Sequence, residues 1–180
     1  YKSKPMFKVA LMFLLSFTIF HTVTSFRSFQ QKKIVVYNIP RFSAVDFIVG
    51  NTYLFEGDSI LQKEGTFQNF HLKPARIFMH LDKTVQQLKG LKRVNNFWQF
   101  YDKKIMIVDS TVLYEKPGKR INVDILIISK DPAINIFAII AVIKPSIVLF
   151  DSSNSLWKIA KWKKECLALA LPCFSIPEQG

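Results

Sequence analysis

The hydrophobic pattern of this chain changes period twice. From Val9 to Phe26 no charged residue occurs, and "VALMFLLSFTIF" (9–20) is apolar but for Ser16 and Thr18. The eighteen residues between Lys8 and Arg27 therefore have the length and composition of a helix that crosses a bilayer. A secretory signal is the competing reading, with "YKSKPMFK" as its basic start, although no small-x-small cleavage site follows. Lys2, Lys4 and Lys8 on one flank balance Arg27, Lys32 and Lys33 on the other, so charge does not orient the segment. His21, in its more polar half, reads as an interfacial residue near the helix end.

Beyond a polar link, "SFRSFQQKK", the period becomes two. "KIVVYNI" (33–39), "AVDFIVG" (44–50) and "TYLFEGD" (52–58) are short β-branched and aromatic runs, with Gly50-Asn51 as the turn between the last two. They predict a three-strand meander. Residues 59–89 are mixed, with a short helix expected around Lys83–Lys89 and ended by Gly90. "KRVNNFWQFY" and "KIMIVDS" flank Asp102-Lys103 as a second hairpin, and "YEKPGKR" is a surface turn at Pro117-Gly118.

In the last third, apolar strand-length runs alternate with helical ones. "NVDILIIS" predicts a buried strand, "AINIFAIIAVI" a helix, "PSIVLFD" a strand, "NSLWKIAKWKKECLALA" a helix and "PCFSI" a strand. That alternation implies a parallel, right-handed layer. In the second helix Leu156, Ile159, Ala160, Trp162, Cys166 and Leu167 form an apolar arc broken by Lys163, opposite Lys158, Lys161 and Glu165, with Asn154 or Ser153 as cap. The fold class expected is α/β (α+β), one soluble domain behind one membrane helix.

Composition narrows the function. Of 180 residues 49% are hydrophobic and 14% aromatic, enough for one core and too apolar for disorder. Twenty-five Lys and Arg against 13 Asp and Glu give a net charge of +12, which favours nucleic acid or an anionic membrane as neighbour. Glycine is scarce, at 6 residues, and no GxGxxG or GxxxxGK[ST] loop is present, so nucleotide chemistry has no cradle. The chain opens on Tyr1, as expected of a piece of something longer.

"IKPSIVLFDSSNSLWKIAKWKKECLALALPCFSIPEQG", with "KKIVVYNIPRFSAVDFIVGNTYLFEGDS" and "NFHLKPAR", resembles the soluble C-terminal region of ComEC-type competence proteins as found in Bacteroidetes. The hydrophobic segment before it looks like the last helix of their membrane channel. The resemblance divides the chain into a transmembrane helix over 1–28 and a soluble domain over 29–180, cut short before a further strand. It implies a degenerate metallo-β-lactamase-like sandwich of two sheets flanked by helices. The implied role is carriage of single-stranded DNA across the inner membrane during natural transformation, with the domain on the periplasmic side. Implied neighbours are the membrane, the channel domain of the same polypeptide and other competence proteins.

The family's zinc-binding members bear their ligands on strand tips, and here those positions are altered. The strand "DILIIS" ends in Lys130-Asp131-Pro132 where a histidine turn closes the metal site, and a charged lysine offers no lone pair. The acidic, glycine-rich start of the family falls near Asn38–Ser43, "NIPRFS", without its acids or glycines, and the HxHxDH cluster has no counterpart. His71 and His80 are nine apart, with no further histidine at ligand spacing. A hydrolytic zinc ion needs at least three converging donors and an open position, so no metal, cofactor or catalytic residue is expected. Asp58, Asp109, Asp131 and Asp151 all follow strands, as catalytic carboxylates would and as ordinary turn and cap residues do. Cys166 and Cys173, seven apart, read as two buried thiols, a disulfide being the periplasmic alternative.

For DNA, Trp157, Lys161 and Lys164 recur at i, i+4 and i+7 on the last long helix, an aromatic beside two cations on which bases stack and phosphates dock. Lys92, Arg93, Lys103 and Lys104 add a basic rim on the hairpin. The alternatives to a non-catalytic domain of a DNA-import channel are a zinc nuclease acting on incoming DNA and an exported, membrane-tethered binding protein.

Overall fold

The computed structural model describes residues 4–109 and 120–180, so the turn expected at Pro117-Gly118 lies outside the described residues. Helix α1 (Lys4–Gln30) runs straight through the expected polar link, because "SFRSFQ" contains no glycine or proline to stop it. It is followed by β1 (Lys32–Val36), β2 (Ala44–Val49) and β3 (Thr52–Gly57), the anticipated meander. Gly50 makes its turn at φ 61°, and a side chain there would meet the Phe29 carbonyl oxygen at 3.2 Å.

Three short helices, α2 (Ser59–Gln62), α3 (Thr66–His71) and α4 (Lys73–Phe78), fill the stretch that shows no clear period in the sequence. The helix expected at Lys83–Lys89 is absent. Its first residues instead form β4 (Lys83–Thr84), paired in parallel with Thr52 and Tyr53 of β3, and Val85 N–H donates to the Tyr53 carbonyl at 2.9 Å. Leu88 turns into the core. Pairing and burial outweigh the modest helix preference of "VQQLK". These strands make a four-stranded sheet in the order β1-β2-β3-β4.

A second, six-stranded sheet takes the order β10-β9-β8-β7-β6-β5. Its antiparallel part is β5 (Leu91–Val94), β6 (Phe97–Phe100) and β7 (Lys103–Val108). Asn95, at φ 52°, splits "KRVNNFWQFY" into two strands, an Asn-Asn turn that the run of aromatics conceals. The parallel part is β7, β8 (Ile121–Ile128), β9 (Ile143–Phe150) and β10 (Cys173–Ser175), as the alternation predicts. Helices α5 (Ile136–Val142) and α6 (Leu156–Ala168) are the crossovers, and α7 (Ile176–Gln179) ends the fold.

The layers follow from side-chain alternation. Val45 and Phe47 of β2 pack with Trp98, Phe100, Ile105 and Ile127 between the two sheets, where the Phe47 and Trp98 rings stack with centroids 5.0 Å apart. The other face of the large sheet, with Met106, Leu126, Val148 and Phe150, is covered by Ile136 and Ile139 of α5 and Ile159, Trp162 and Cys166 of α6. The outer face of the small sheet lies under Leu61 of α2, and Leu72 and Ala75 beside α4. The result is a four-layer α/β/β/α arrangement of class α+β.

In α6 the buried stripe is narrower than expected: Leu156, Ala160 and Leu167 are exposed. The N-cap position falls on Ser155 rather than the expected Asn154 or Ser153, and its hydroxyl donates to Asp131 at 3.0 Å instead of capping the helix. Beneath α4, Asp46 is fully buried and takes a bidentate pair from Arg76, at 2.8 and 2.9 Å, and a hydrogen bond from the Tyr37 hydroxyl at 2.6 Å. The Arg76 guanidinium also lies 4.2 Å over the Tyr53 ring. Burial alone would lower its pKa, and the hydrogen bonds and charge of Asp46 reverse that, so the guanidinium is held above its ordinary value.

Candidate functional site

Strand direction brings the ends of β1, β3, β7, β8 and β9 and the start of β2 to one pole of the sandwich. There the expected positions Asn38, Ser43, Asp58, Lys130 and Asp131 converge. Ser43 N–H donates to Asp58 at 2.8 Å, and its hydroxyl lies 3.4 Å from that of Ser129. The Ser129 hydroxyl donates to Asp151 at 2.6 Å. Asn38 accepts from the Ser152 hydroxyl at 2.7 Å, and Arg41 N–H donates to the Ser152 carbonyl at 2.8 Å, which ties the β1–β2 loop to the end of β9.

Lys130 and Asp131 both adopt left-handed backbone, at φ 60° and 53°, a costly conformation for two consecutive residues with side chains. The loop after β9 holds them there. Lys130 N–H donates to the Ser153 hydroxyl at 2.6 Å and Asp131 N–H to the Asn154 side chain at 3.0 Å. Asp131 in return accepts from Ser155 N–H at 2.7 Å, placing a carboxylate at the start of α6, and its backbone carbonyl takes the Lys158 ammonium. Thus turned, Lys130 sets its ammonium 3.9 Å from Asp58 and 3.6 Å from Asp109.

Asp151 is the anchor of this pole. It is fully buried and accepts from Ser129, from the Ser153 hydroxyl and N–H, and from Asn154 at 3.0 Å. Burial pushes its carboxyl pKa above the usual range, against the opposing pull of the Ser129, Ser153 and Ser43 hydrogen bonds. The sequence "DSSNS" (151–155) is the signal for this network: five small polar residues straight after a buried strand can satisfy a buried turn. Ser129, Ser152, Ser153 and Asn154 were not among the expected site residues.

The basic candidates fall on two surfaces. Trp157, 67% exposed, lies with exposed Lys161 and Lys164 on the outside of α6, and the Lys158 ammonium sits 5.6 Å from its ring centre. On the hairpins, Lys92 and Lys104 flank Gln99 in register on the face toward α5 and α6. Arg93 points the other way: it caps the Trp98 ring at 4.4 Å and pairs with Glu56 at 3.0 Å. Lys103 pairs with Asp102 at 3.1 Å. The expected single rim is thus divided between the two faces of the sheet, because neighbouring strand residues alternate sides. Arg93 lines a groove of about 1050 Å³ between the open edges of β3 and β5, together with Tyr53, Arg76 and Trp98.

One comparison with known proteins decides the family: the model of the ComEC C-terminal domain matches residues 34–180, well over half of the chain. The chain belongs to the ComEC C-terminal domain family. Membership makes it part of a competence DNA-uptake protein, a membrane protein, and α1 is long and apolar enough to cross a membrane. No curated protein and no solved structure matches.

Among the described residues no three His, Cys, Asp or Glu side chains are grouped to hold an ion. Asp58 and Asp109 face an ammonium, Asp151 is saturated by serines, and His80 lies in the loop after α4, beside the end of α1. Cys166 and Cys173 are free thiols, with Cys166 buried and its pKa pushed up to about 12 by burial and by its neighbour Cys173. That value removes the thiolate needed for nucleophilic work at neutral pH.

Proposed function

We propose that this chain is the non-catalytic, soluble C-terminal part of a protein that carries single-stranded DNA across the inner membrane in natural transformation, tethered by the membrane helix expected over residues 1–28 and seen as α1 (Lys4–Gln30), with the domain over 29–180 on the periplasmic side. The observation that carries the non-catalytic reading is Lys130. In a metallo-β-lactamase-like sandwich, which the four layers support, the strand tips would present converging metal donors. Here the corresponding turn supplies its own cation, 3.9 and 3.6 Å from the Asp58 and Asp109 carboxylates. Incoming DNA would meet the exposed Trp157, Lys161 and Lys164 surface, through ring stacking and phosphate contacts.

Two measurements on the full chain test this. Incubated with zinc and single-stranded DNA, it should retain no stoichiometric metal and leave the strand intact; tight zinc binding with cleavage would establish a nuclease instead. Binding of a single-stranded oligonucleotide should weaken as salt rises, and removing Lys161 and Lys164 together should reduce the log–log salt slope by about 1.4, at roughly 0.7 for each phosphate contact. An unchanged slope would detach DNA from this surface. Deleting the gene should abolish transformation while DNA capture at the cell surface persists.

A further inference from the structure

The pole opposite the strand tips carries an apolar and basic surface that nothing in the DNA reading uses. It is built around the end of α1. Gln31, the first residue after that helix, donates through its side chain to the carbonyls of Gly50 and Met79, both at 2.8 Å, and Gly50 N–H donates to the Gln31 carbonyl at 2.9 Å. The β2–β3 turn and the end of α4 are thereby fastened to the exit of the apolar helix. Immediately before Met79, Ile77 and Phe78 are 64% and 86% exposed, and Phe26 and Phe29 near the end of α1 are exposed as well. A soluble domain has little reason to fix a bare Phe-Ile pair at the root of such a helix.

The same pole gathers cations. Lys32 lies 4.0 Å over the Tyr101 ring, which brings the β6–β7 turn with Lys103 to the helix root. Lys83, paired with Thr52, belongs to the same end, and Arg27 and Lys33 flank the junction in sequence. These five cations stand against the carboxylates of Asp82, Asp102 and Asp124, the last of which accepts from Lys104 N–H at 2.7 Å. Beneath the apolar pair, the buried Asp46–Arg76 bridge holds α4 against the small sheet, so the surface is rigid and does not depend on a partner for its shape.

We propose that this pole is a lipid-contacting platform: Ile77 and Phe78 enter the headgroup–acyl boundary of the bilayer crossed by α1, while Lys32, Lys33, Lys83 and Lys103 lie over anionic headgroups. It rests on the reading of α1 as membrane-spanning. The occupant is fixed by continuity, since an apolar pair directly before Met79, whose carbonyl accepts from Gln31 at the root of a bilayer helix, stands at the height of the interface, and the surrounding charge complements acidic lipid. The platform would hold the strand tips and the Trp157 surface turned away from the membrane.

The full chain in nanodiscs containing brominated phosphatidylcholine tests this through Phe78→Trp. Trp98 and Trp162 are buried and Trp157 lies at the far pole, so the native emission is a baseline that bromine should leave untouched. The added tryptophan should sit about 5–10 Å into the boundary, lose roughly half of its emission to bromine, and be quenched further when acidic phosphatidylglycerol is included. Lys32→Glu with Lys33→Glu should abolish that lipid-charge dependence. Phe13→Trp, in the middle of α1, separates the possible failures. If it is quenched and Phe78→Trp is not, the platform is wrong and the membrane helix stands; this holds also if Phe78→Trp is shifted to the blue without quenching, which would mean that protein covers it. If neither is quenched, both readings fall.

Discussion

The two poles of this sandwich treat their exposed chemistry in opposite ways. At the strand tips Asp151 is saturated by serine and asparagine donors, Asp131 by Ser155 and Lys158, and Asp58 and Asp109 by Lys130. At the root of α1, Ile77 and Phe78 cover nothing and cations outnumber acids. A pole whose described carboxylates each meet a neighbouring donor or cation has little left for a substrate. A pole that leaves apolar surface in water at about 25 cal/mol per Å² retains something to give to a partner. That difference moves attention from the strand tips to the root of α1.

The largest way to break the contrast is to loosen the seat of the apolar pole. Asp46→Ala leaves the Arg76 guanidinium buried without its carboxylate and the Tyr37 hydroxyl without its acceptor. The expected loss is about 3–5 kcal/mol, read as the shift of a urea unfolding curve. It should also release the α4 end, so Phe78→Trp in the Asp46→Ala background should lose its bromine quenching. A loss below about 1 kcal/mol would show that the buried pair does not hold the platform.

A smaller effect is expected at the polar pole. Asp151→Ala removes the acceptor of Ser129, Ser153 and Asn154 and should cost about 1–3 kcal/mol. Asp151 also makes stability depend on pH in an unusual sense. Its carboxyl pKa is raised in the folded state, so the folded chain holds the proton more tightly than the unfolded one. This contribution is fully present below the ordinary carboxylate value and is lost as pH rises through the raised one. Urea midpoints across that window should fall with pH in the native chain and flatten in Asp151→Asn. A native profile that rises through the same window would refute the assignment.

How much of this was legible differs between the poles for physical reasons. Strands β1–β3 and β7–β9 announce themselves as β-branched runs, and "DSSNS" after β9 advertises a polar turn. Lys130 and Asp131 stand out in the sequence as a charged pair that ends an apolar strand before a proline, although neither residue type reveals a left-handed backbone. The apolar pole left almost no trace. Helices α2–α4 span four to six residues each, too short to show a period, and exist because Leu61, Leu72 and Ala75 find the small sheet. The segment at Lys83–Lys89 carries a helical composition that strand pairing overrides. Phe78 reads as core in any window, and only its position beside Gln31 and Met79 shows that it is bare.

The smallest effect sharpens what Lys130 does. Its φ of 60° costs a residue with a side chain about 1 kcal/mol that glycine does not incur. Its two ion pairs, at 3.9 and 3.6 Å with the lysine 42% exposed, are of the kind that contribute about 0–1 kcal/mol. Lys130→Ala keeps the strain and loses the pairs, so it should be slightly less stable than the native chain. Lys130→Gly loses the same pairs and relieves the strain, so it should lie about 1 kcal/mol above Lys130→Ala in urea midpoint and close to the native value. That ordering would mean that the lysine contributes through its charge between Asp58 and Asp109, at a cost in backbone energy. If glycine and alanine destabilise equally and by several kcal/mol, the ammonium is structurally required, and the polar pole is held by its cation rather than by the serines around Asp151.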